Sequence, residues 1–439
     1  MEVSEIEKSN ILEDYEIEPV PQEKRQSWVK LSLVWTAGII ALSATALGGA
    51  LGSGMSLEQA IISAGIGAFI LSILNAFSGF VGDKTGLSTA MVSTFALGRY
   101  GAFLVSLVIA VALFGWFGVQ LDLFGSSLYA VINSVFGVEI NKVWLVILGG
   151  FLMTVTSMIG YKALEKLSIF AVPLLAFLLI GSAFIILKSY NITELINAPL
   201  TGETITFGAG ISIVIGSLAI GIIIAPDFSR YSKSSTDTLI ASLLSYFVGY
   251  SIVLILAVFL AKATSQTDVV QIMISIGWGT GGMLVLILAQ WTTNNTNLYS
   301  SSLAFSVVFK MIPKYIITIF AGTVGTVFAI TGIYQNFIPF LSVLSIMIPP
   351  VGGIYVADFF MRHSKYHYSH IPHIIKFNYF SVIIWVVAIL IALSTSPAPI
   401  GFDLFKLTTI SALDAYLIAL ILQLIVSKFN LDVKGSRNL

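Results

Sequence analysis

Twelve stretches of about 20 mostly apolar residues follow one another along this chain. Inside lipid only an α-helix or a closed β-barrel can satisfy its own backbone polar groups. They run, within a few residues, over 30–55, 58–80, 102–130, 143–160, 166–187, 207–226, 236–261, 281–309, 315–333, 336–360, 378–395 and 407–427. These runs are too long for barrel strands and lack strict alternation, so the expected class is an all-α polytopic membrane protein with 12 transmembrane helices. Composition excludes a soluble domain: 57% of the residues are hydrophobic and 10% charged, against roughly 25% charged in soluble proteins. With 22 basic and 22 acidic residues, no excess charge points to nucleic acid or to a cationic partner. Cysteine is absent, which removes disulfides and thiolate metal sites. No phosphate-binding Gly-x-x-x-x-Gly-Lys loop, catalytic carboxylate pair or nucleophile elbow is present, so neither ATP drive nor catalysis is expected.

Cytoplasmic loops retain Lys and Arg. With both termini cytoplasmic and the cell membrane as the location, only Lys142, Lys188, Lys262 and Lys406 of the 22 basic residues are left outside. Residues 1–27 are rich in Glu, carry no signal-peptide-like stretch and are expected to form a flexible cytoplasmic tail. Two helices look interrupted, a mark of transporter sites where freed carbonyls and half-helix ends hold ions and substrate. Helix 1 has Gly48-Gly49 and Gly52-x-Gly54 after Ala37-Gly38; helix 6 has Gly208, Gly210, Gly216, Gly221 and Pro226. Their spacing of five suggests two five-helix halves in an inverted repeat, over 28–187 and 188–361. A His-containing cytoplasmic loop (362–376), peripheral helices 11 and 12 (377–427) and a cytoplasmic tail (428–439) follow. Glycines of this kind also serve simply to let helices pack closely.

Six strings, in order, carry a resemblance. They are Gly79-Phe-Val-Gly-Asp-Lys-Thr-Gly-Leu-Ser-Thr89, Gly115-Trp-Phe-Gly118, Leu152-Met-Thr-Val-Thr156 with Gly160, and Pro226-Asp-Phe-Ser-Arg-Tyr231. Gln290-Trp-Thr-Thr-Asn294 with Leu298-Tyr299, and Ile348-Pro-Pro-Val-Gly-Gly353 with Ala357-Asp358, complete the set. From about Lys30 to Tyr366 the chain resembles the nucleobase:cation symporter-1 family, most closely its cytosine permeases. The resemblance implies a LeuT-like fold of two inverted five-helix repeats plus two peripheral helices. It also implies symport of a nucleobase or related flat heterocycle by alternating access, driven by sodium or protons, with no organic cofactor and no obligate protein partner. A cation-coupled amino-acid transporter of the same fold is the runner-up, and a channel is third.

Carried over from that resemblance, sodium would be held by the carbonyls of Ala37, Ile40 and Ala289 and the hydroxyls of Thr292 and Thr293. Neutral oxygens suit a hard monovalent ion, and helix 8 has no Asp, Glu, His, Lys or Arg from Gly281 to Val308, which favours sodium over a proton. Buried Thr hydroxyls also bond back to carbonyls three or four residues earlier without any ion. For the substrate, Trp116 is the expected stacking platform. Gln120, one turn further along the same face, offers an amide to a heterocycle edge. Ser217, Leu218, Asn294 and Asn297 complete the expected substrate-binding set, although Ser and Asn in membrane helices also bridge helices. Leu113, Leu218 and Ile220 depart from the cytosine pattern, in which a Gln, an aromatic and a Ser stand, while Gln120 matches the hydantoin and allantoin branch. Asp122 lies about 200° around the helix from Gln120 and is either a proton or ion partner or a solvated outer-end acid. Asp414 is read as peripheral. His363, His367, His370 and His373 are read as a solvated loop.

Overall fold

The computed structural model describes residues 18–39, 41–159, 161–266, 269–309 and 311–432. The described residues are helices and their connections, with one isolated bridge between Gln26 and Ser232 and no strand. In chain order the main helices are α1 (Trp28–Ile39), α2 (Leu42–Gly54), α3 (Leu57–Thr85), α4 (Thr89–Phe136), α5 (Lys142–Ile159), α6 (Tyr161–Ser189), α7 (Phe207–Ser217) and α8 (Ala219–Ser229). There follow α9 (Ser235–Thr264), α10 (Gly279–Val308), α11 (Lys314–Ile330), α12 (Phe337–Met347), α13 (Pro349–Arg362), α14 (Tyr379–Thr395) and α15 (Ser411–Phe429). Among the described residues six helices are long and apolar enough to cross a membrane: α3, α4, α7 with α8, α9, α12 with α13 and its following turn, and α15. Shorter apolar helices occupy Lys142–Met158, Pro173–Ile186, Lys314–Ile330 and Tyr379–Thr395.

The first interruption falls between α1 and α2, just after Gly38 and before Gly48, Gly49, Gly52 and Gly54. Ala41 is extended (φ −134°, ψ 156°), and its N–H bonds to the Ile39 carbonyl at 2.9 Å instead of reaching back to Ala37, so carbonyls in the last turn of α1 lose their helical partners. Gly48 and Gly52 lie inside the continuous α2, where with Ala44 they form a small-residue stripe against α9. A Cβ on Gly48 would stand 2.5 Å from Ala257 Cβ and 2.6 Å from the Leu254 carbonyl oxygen; one on Gly52 would stand 2.8 Å from that of Val258. For these glycines close packing is the correct reading.

The second interruption is at Leu218 (φ −121°, ψ 21°), between α7 and α8. Further along α8, Pro226 has no N–H for the Ile222 carbonyl. The buried Tyr355 hydroxyl of α13 lies 3.0 Å from that oxygen and from the Ile223 oxygen, which the Thr89 hydroxyl also approaches at 3.3 Å. A third break, not anticipated above, separates α12 from α13 at Ile348, ahead of Pro349-Pro350. There Val351 N–H turns to the Ile348 carbonyl, and the Met347 carbonyl accepts the Trp385 indole N–H at 2.9 Å.

At the end of the bundle whose loops carry most of the basic residues, the helices are tied together. The Asp227 carboxylate accepts the Thr89 N–H at 2.8 Å and so caps the start of α4. Gly82 leaves room for Pro226, whose Cα would lie 2.6 Å from a Cβ at that position. The first 17 residues of the expected tail, and 433–439 of the C-terminal one, lie outside the described residues. Residues 18–27 depart from the expectation of a flexible segment. Val20 N–H bonds to Gly86, Gln26 exchanges backbone bonds with Tyr231 and Lys233, and Arg25 donates to the Asp83 carbonyl at 2.6 Å. Arg362, buried at the end of α13, donates to both oxygens of Asp432 at 2.6 Å and to Asp358 at 3.2 Å. The Tyr366 hydroxyl also donates to Asp358. Of the neighbouring histidines, His363 lies in the short turn His363–Lys365, His370 and His373 lie in Tyr368–His373, and His367 lies between the two turns.

Because backbone cannot yield as a flexible side chain can, Gly48→Val should cost about 1–3 kcal/mol or more of stability. This would be read as a lower melting temperature of the detergent-purified protein. Gly65→Ala, whose new Cβ meets nothing within 4 Å, should leave the transition in place.

Candidate functional site

A cavity of about 780 Å³ opens at the opposite end of the bundle, between α2, α7 and α12, and is lined by Ser53, Asp122, Lys142, Ser212, Phe337 and Ser345 among others. Asp122, buried in its wall, is neither a solvated acid nor free to pair with an ion. Its carboxylate receives the Lys142 ammonium at 2.6 Å, and Lys142 also reaches Ser126 at 3.4 Å. Asp414 is buried at the start of α15, where it accepts the Thr408 hydroxyl at 2.6 Å and the Thr408 N–H at 3.1 Å.

Trp116, on α4, is 8% exposed. Its ring meets Phe337 at 6.1 Å and 76° and Phe340 at 5.5 Å and 78°, edge-to-face geometry that aromatic quadrupoles favour. Phe337 also lines the cavity, so α12 stands between the open space and the indole. Gly115 gives Phe340 its place, since a Cβ there would overlap that ring. Neither phenylalanine was singled out in the sequence.

Gln120 is 1% exposed, and its amide oxygen has no hydrogen-bond partner among the described residues. Two more buried amides on α10, which packs along α4, share that condition. Asn294 donates its NH₂ to the Phe117 carbonyl at 3.1 Å, and Gln290, one turn earlier, donates to the Ser127 hydroxyl at 3.4 Å. The carbonyl oxygens of both remain unpartnered. Asn294 therefore bridges helices with its nitrogen and keeps an acceptor in reserve. Gln290 was passed over as a site residue, although a second amide one helical turn from Asn294 was a legible signal. Asn297 is half-buried, with no side-chain hydrogen bond among the described residues. Ser217, at the end of α7, donates to the Val214 carbonyl at 2.7 Å and lies 2.6 Å from the Tyr250 hydroxyl, a partner the sequence did not suggest. Leu218 is half-buried at the break itself, and Leu113 and Ile220 are buried.

Of the expected cation ligands, Ile40 lies outside the described residues, and Ala37 is in the last turn of α1, where carbonyls lose their helical N–H groups. Thr292 and Thr293 both donate to the Ala289 carbonyl, at 2.8 and 2.9 Å. That is the local back-bonding weighed above, and it leaves each hydroxyl with lone pairs. The expected donor set is neutral and all-oxygen, the chemistry an alkali cation takes, but the Ala289 carbonyl already accepts both threonine hydroxyls.

Comparison with known proteins places this architecture. The family model described as "Permease for cytosine/purines, uracil, thiamine, allantoin" matches residues 19–418. The cytosine permease of Escherichia coli (strain K12) is 32% identical over 367 residues, 83% of this chain and 85% of that protein. The hydantoin permease of Microbacterium maritypicum is 22% identical over 412 residues, 87% of this chain and 83% of that one. Among solved structures the fold is shared with Mhp1, a nucleobase-cation-symport-1 family transporter, in a closed conformation with bromovinylhydantoin bound. The TM-score is 0.75 at 17% identity, covering 96% of each chain. The chain therefore belongs to the family of permeases for cytosine/purines, uracil, thiamine and allantoin, and is a multi-pass membrane transporter and not an enzyme.

Proposed function

We propose that this chain is a secondary active symporter that imports a nucleobase or related flat heterocycle, stacked on Trp116 and read by Gln120, coupled to sodium by alternating access. The observation that carries the reading is the Gln120 amide oxygen, buried without a partner one helical turn from Trp116. A buried acceptor left unpaired costs about 1–3 kcal/mol, and the ring N–H of a nucleobase or hydantoin is a donor of matching chemistry. The unpartnered oxygens of Gln290 and Asn294 add acceptors along the same pair of helices. Leu113, Leu218 and Ile220 supply apolar surface where cytosine permeases have polar or aromatic groups, which favours a substrate with a less polar edge than cytosine.

On this reading twelve helices cross the cell membrane with both termini cytoplasmic. The halves 28–187 and 188–361 form the inverted repeat, and α14 and α15 lie at the periphery. The cavity on the Lys142 side is the outer vestibule, and α12 must withdraw Phe337 and Phe340 before a ligand can stack on Trp116. Sodium would be held by Ala37, Ile40, Ala289, Thr292 and Thr293. Proton coupling is the alternative, but Asp122, its nearest acid, is already matched by Lys142. An amino-acid substrate, the runner-up, would need partners for a carboxylate and an ammonium, whereas the unpartnered amide oxygens of α4 and α10 offer acceptors alone.

Trp116→Ala should weaken every heterocyclic ligand by the worth of one stacking contact, about 1–3 kcal/mol. Gln120→Leu should penalise ligands that carry a ring N–H and spare N-methylated analogues. Isothermal titration across pyrimidines, purines, hydantoins and amino acids distinguishes the two, and binding of amino acids alone would overturn the assignment of both residues.

Reciprocity requires sodium to tighten substrate binding by the same factor as substrate tightens sodium. Thr293→Ala should reduce both factors together, and proteoliposomes should accumulate substrate only on an inward sodium gradient. Uptake that ignores replacement of sodium by choline yet follows a pH gradient would transfer the coupling to protons.

A further inference from the structure

Helix α9 is not α-helical throughout: Leu243–Tyr250 forms a π-helix. Such segments are rare, have poorer hydrogen-bond geometry and occur mostly at functional sites. No proline forces one here. Over these eight residues the side chains grip both of the interrupted helices that the repeat pattern pairs. Toward α1, the Ser245 hydroxyl donates to the Ser32 carbonyl at 3.0 Å and accepts from the Thr36 hydroxyl at 3.1 Å. The Tyr246 ring meets Trp35 edge-on at 5.9 Å. Toward the other helix, Tyr250 lies 2.6 Å from Ser217, the residue before the break at Leu218. The Tyr246 hydroxyl abuts Gly221, where a Cβ would stand 2.7 Å from it. With the Ser217 proton committed to Val214, Tyr250 is the donor in their bond. Ser245, Tyr246 and Tyr250 are all buried.

We propose that the π-helical stretch Leu243–Tyr250 is the coupling element between the two breaks, with Ser245 and Tyr250 as its positioning residues. The inference rests on the symport reading above. A shift of this stretch into α-helical register would turn Ser245 relative to Tyr250 by about 100°, one residue of helix, so the two grips hold together only in the π form. That makes the segment a discrete two-state element of the kind that transmits coupling. Ordering of the end of α1 by a cation, three residues beyond Thr36, favours the π form, and the π form holds Ser217 and Leu218 in place through Tyr250.

The natural absence of cysteine allows a direct test. In a Leu218→Cys variant, the rate of maleimide modification is compared in sodium and in choline, alone and combined with Ser245→Ala or Tyr250→Phe. Melting temperatures with and without sodium are measured in parallel. Sodium is expected to change the rate on the order of fivefold, the lower end of ordinary coupling. Either second substitution should bring the ratio to one while leaving the sodium-induced rise in melting temperature intact. A ratio that survives both substitutions, or no sodium effect at residue 218 in a protein that sodium does stabilise, overturns the coupling element alone. A protein that sodium does not stabilise loses the sodium reading and this proposal with it.

Discussion

A helix interrupted inside a bilayer leaves carbonyls and N–H groups where no water can reach them, and the structure depends on where those groups find partners. Breaks separate α1 from α2, α7 from α8 and α12 from α13, and two of the carbonyls freed in these helices are met by distant elements. The oxygen orphaned by Pro226 is met by Tyr355 of α13. The oxygen released ahead of Pro349-Pro350 is met by Trp385 of α14. The last turn of α1 is different, because its freed carbonyls are the groups that the cation reading uses. A broken helix is thus stable only within its own bundle, and what the bundle leaves unsatisfied becomes available to a ligand.

The same logic separates the polar groups of the interior. Arg362, Asp358, Asp432 and Tyr366 satisfy one another at the basic end, where breaking such a buried set would strand a charge. Asp122 and Lys142 do so at the cavity wall. The amides of Gln120, Gln290 and Asn294 do not: their oxygens face no donor. Neutral acceptors of this kind cost far less to leave open than a charge.

Several of the strings by which the chain resembled its family are structural joints. Gly82 makes room for Pro226, Asp227 caps α4, and Gly353 lies against the backbone of Tyr416, where a Cβ would stand 2.7 Å away. These joints close the basic end, while the opposite end is open as a cavity. The strings around Trp116 and Gln290 are the ones that hold or adjoin the unpartnered amide oxygens of Gln120, Gln290 and Asn294.

The all-helical class, the membrane environment and the fact that the first and sixth expected helices are interrupted were legible in the sequence, because hydrophobic length and glycine or proline content are local properties with local physical consequences. The places of the breaks, at Ala41 and Leu218, were not. The Trp116 and Gln120 face, one helical turn apart on a single helix, was legible too. The role of the glycines in α2 was not, since a glycine that permits a bend and one that permits contact look alike until the partner backbone is placed. Nor was the fate of Asp122, which depends on Lys142 at the start of the next helix. The π-helical turn of α9, with its reach from Ser32 to Ser217, has no signature in residue order. Its partners on α1 and α7 come together only in the tertiary arrangement.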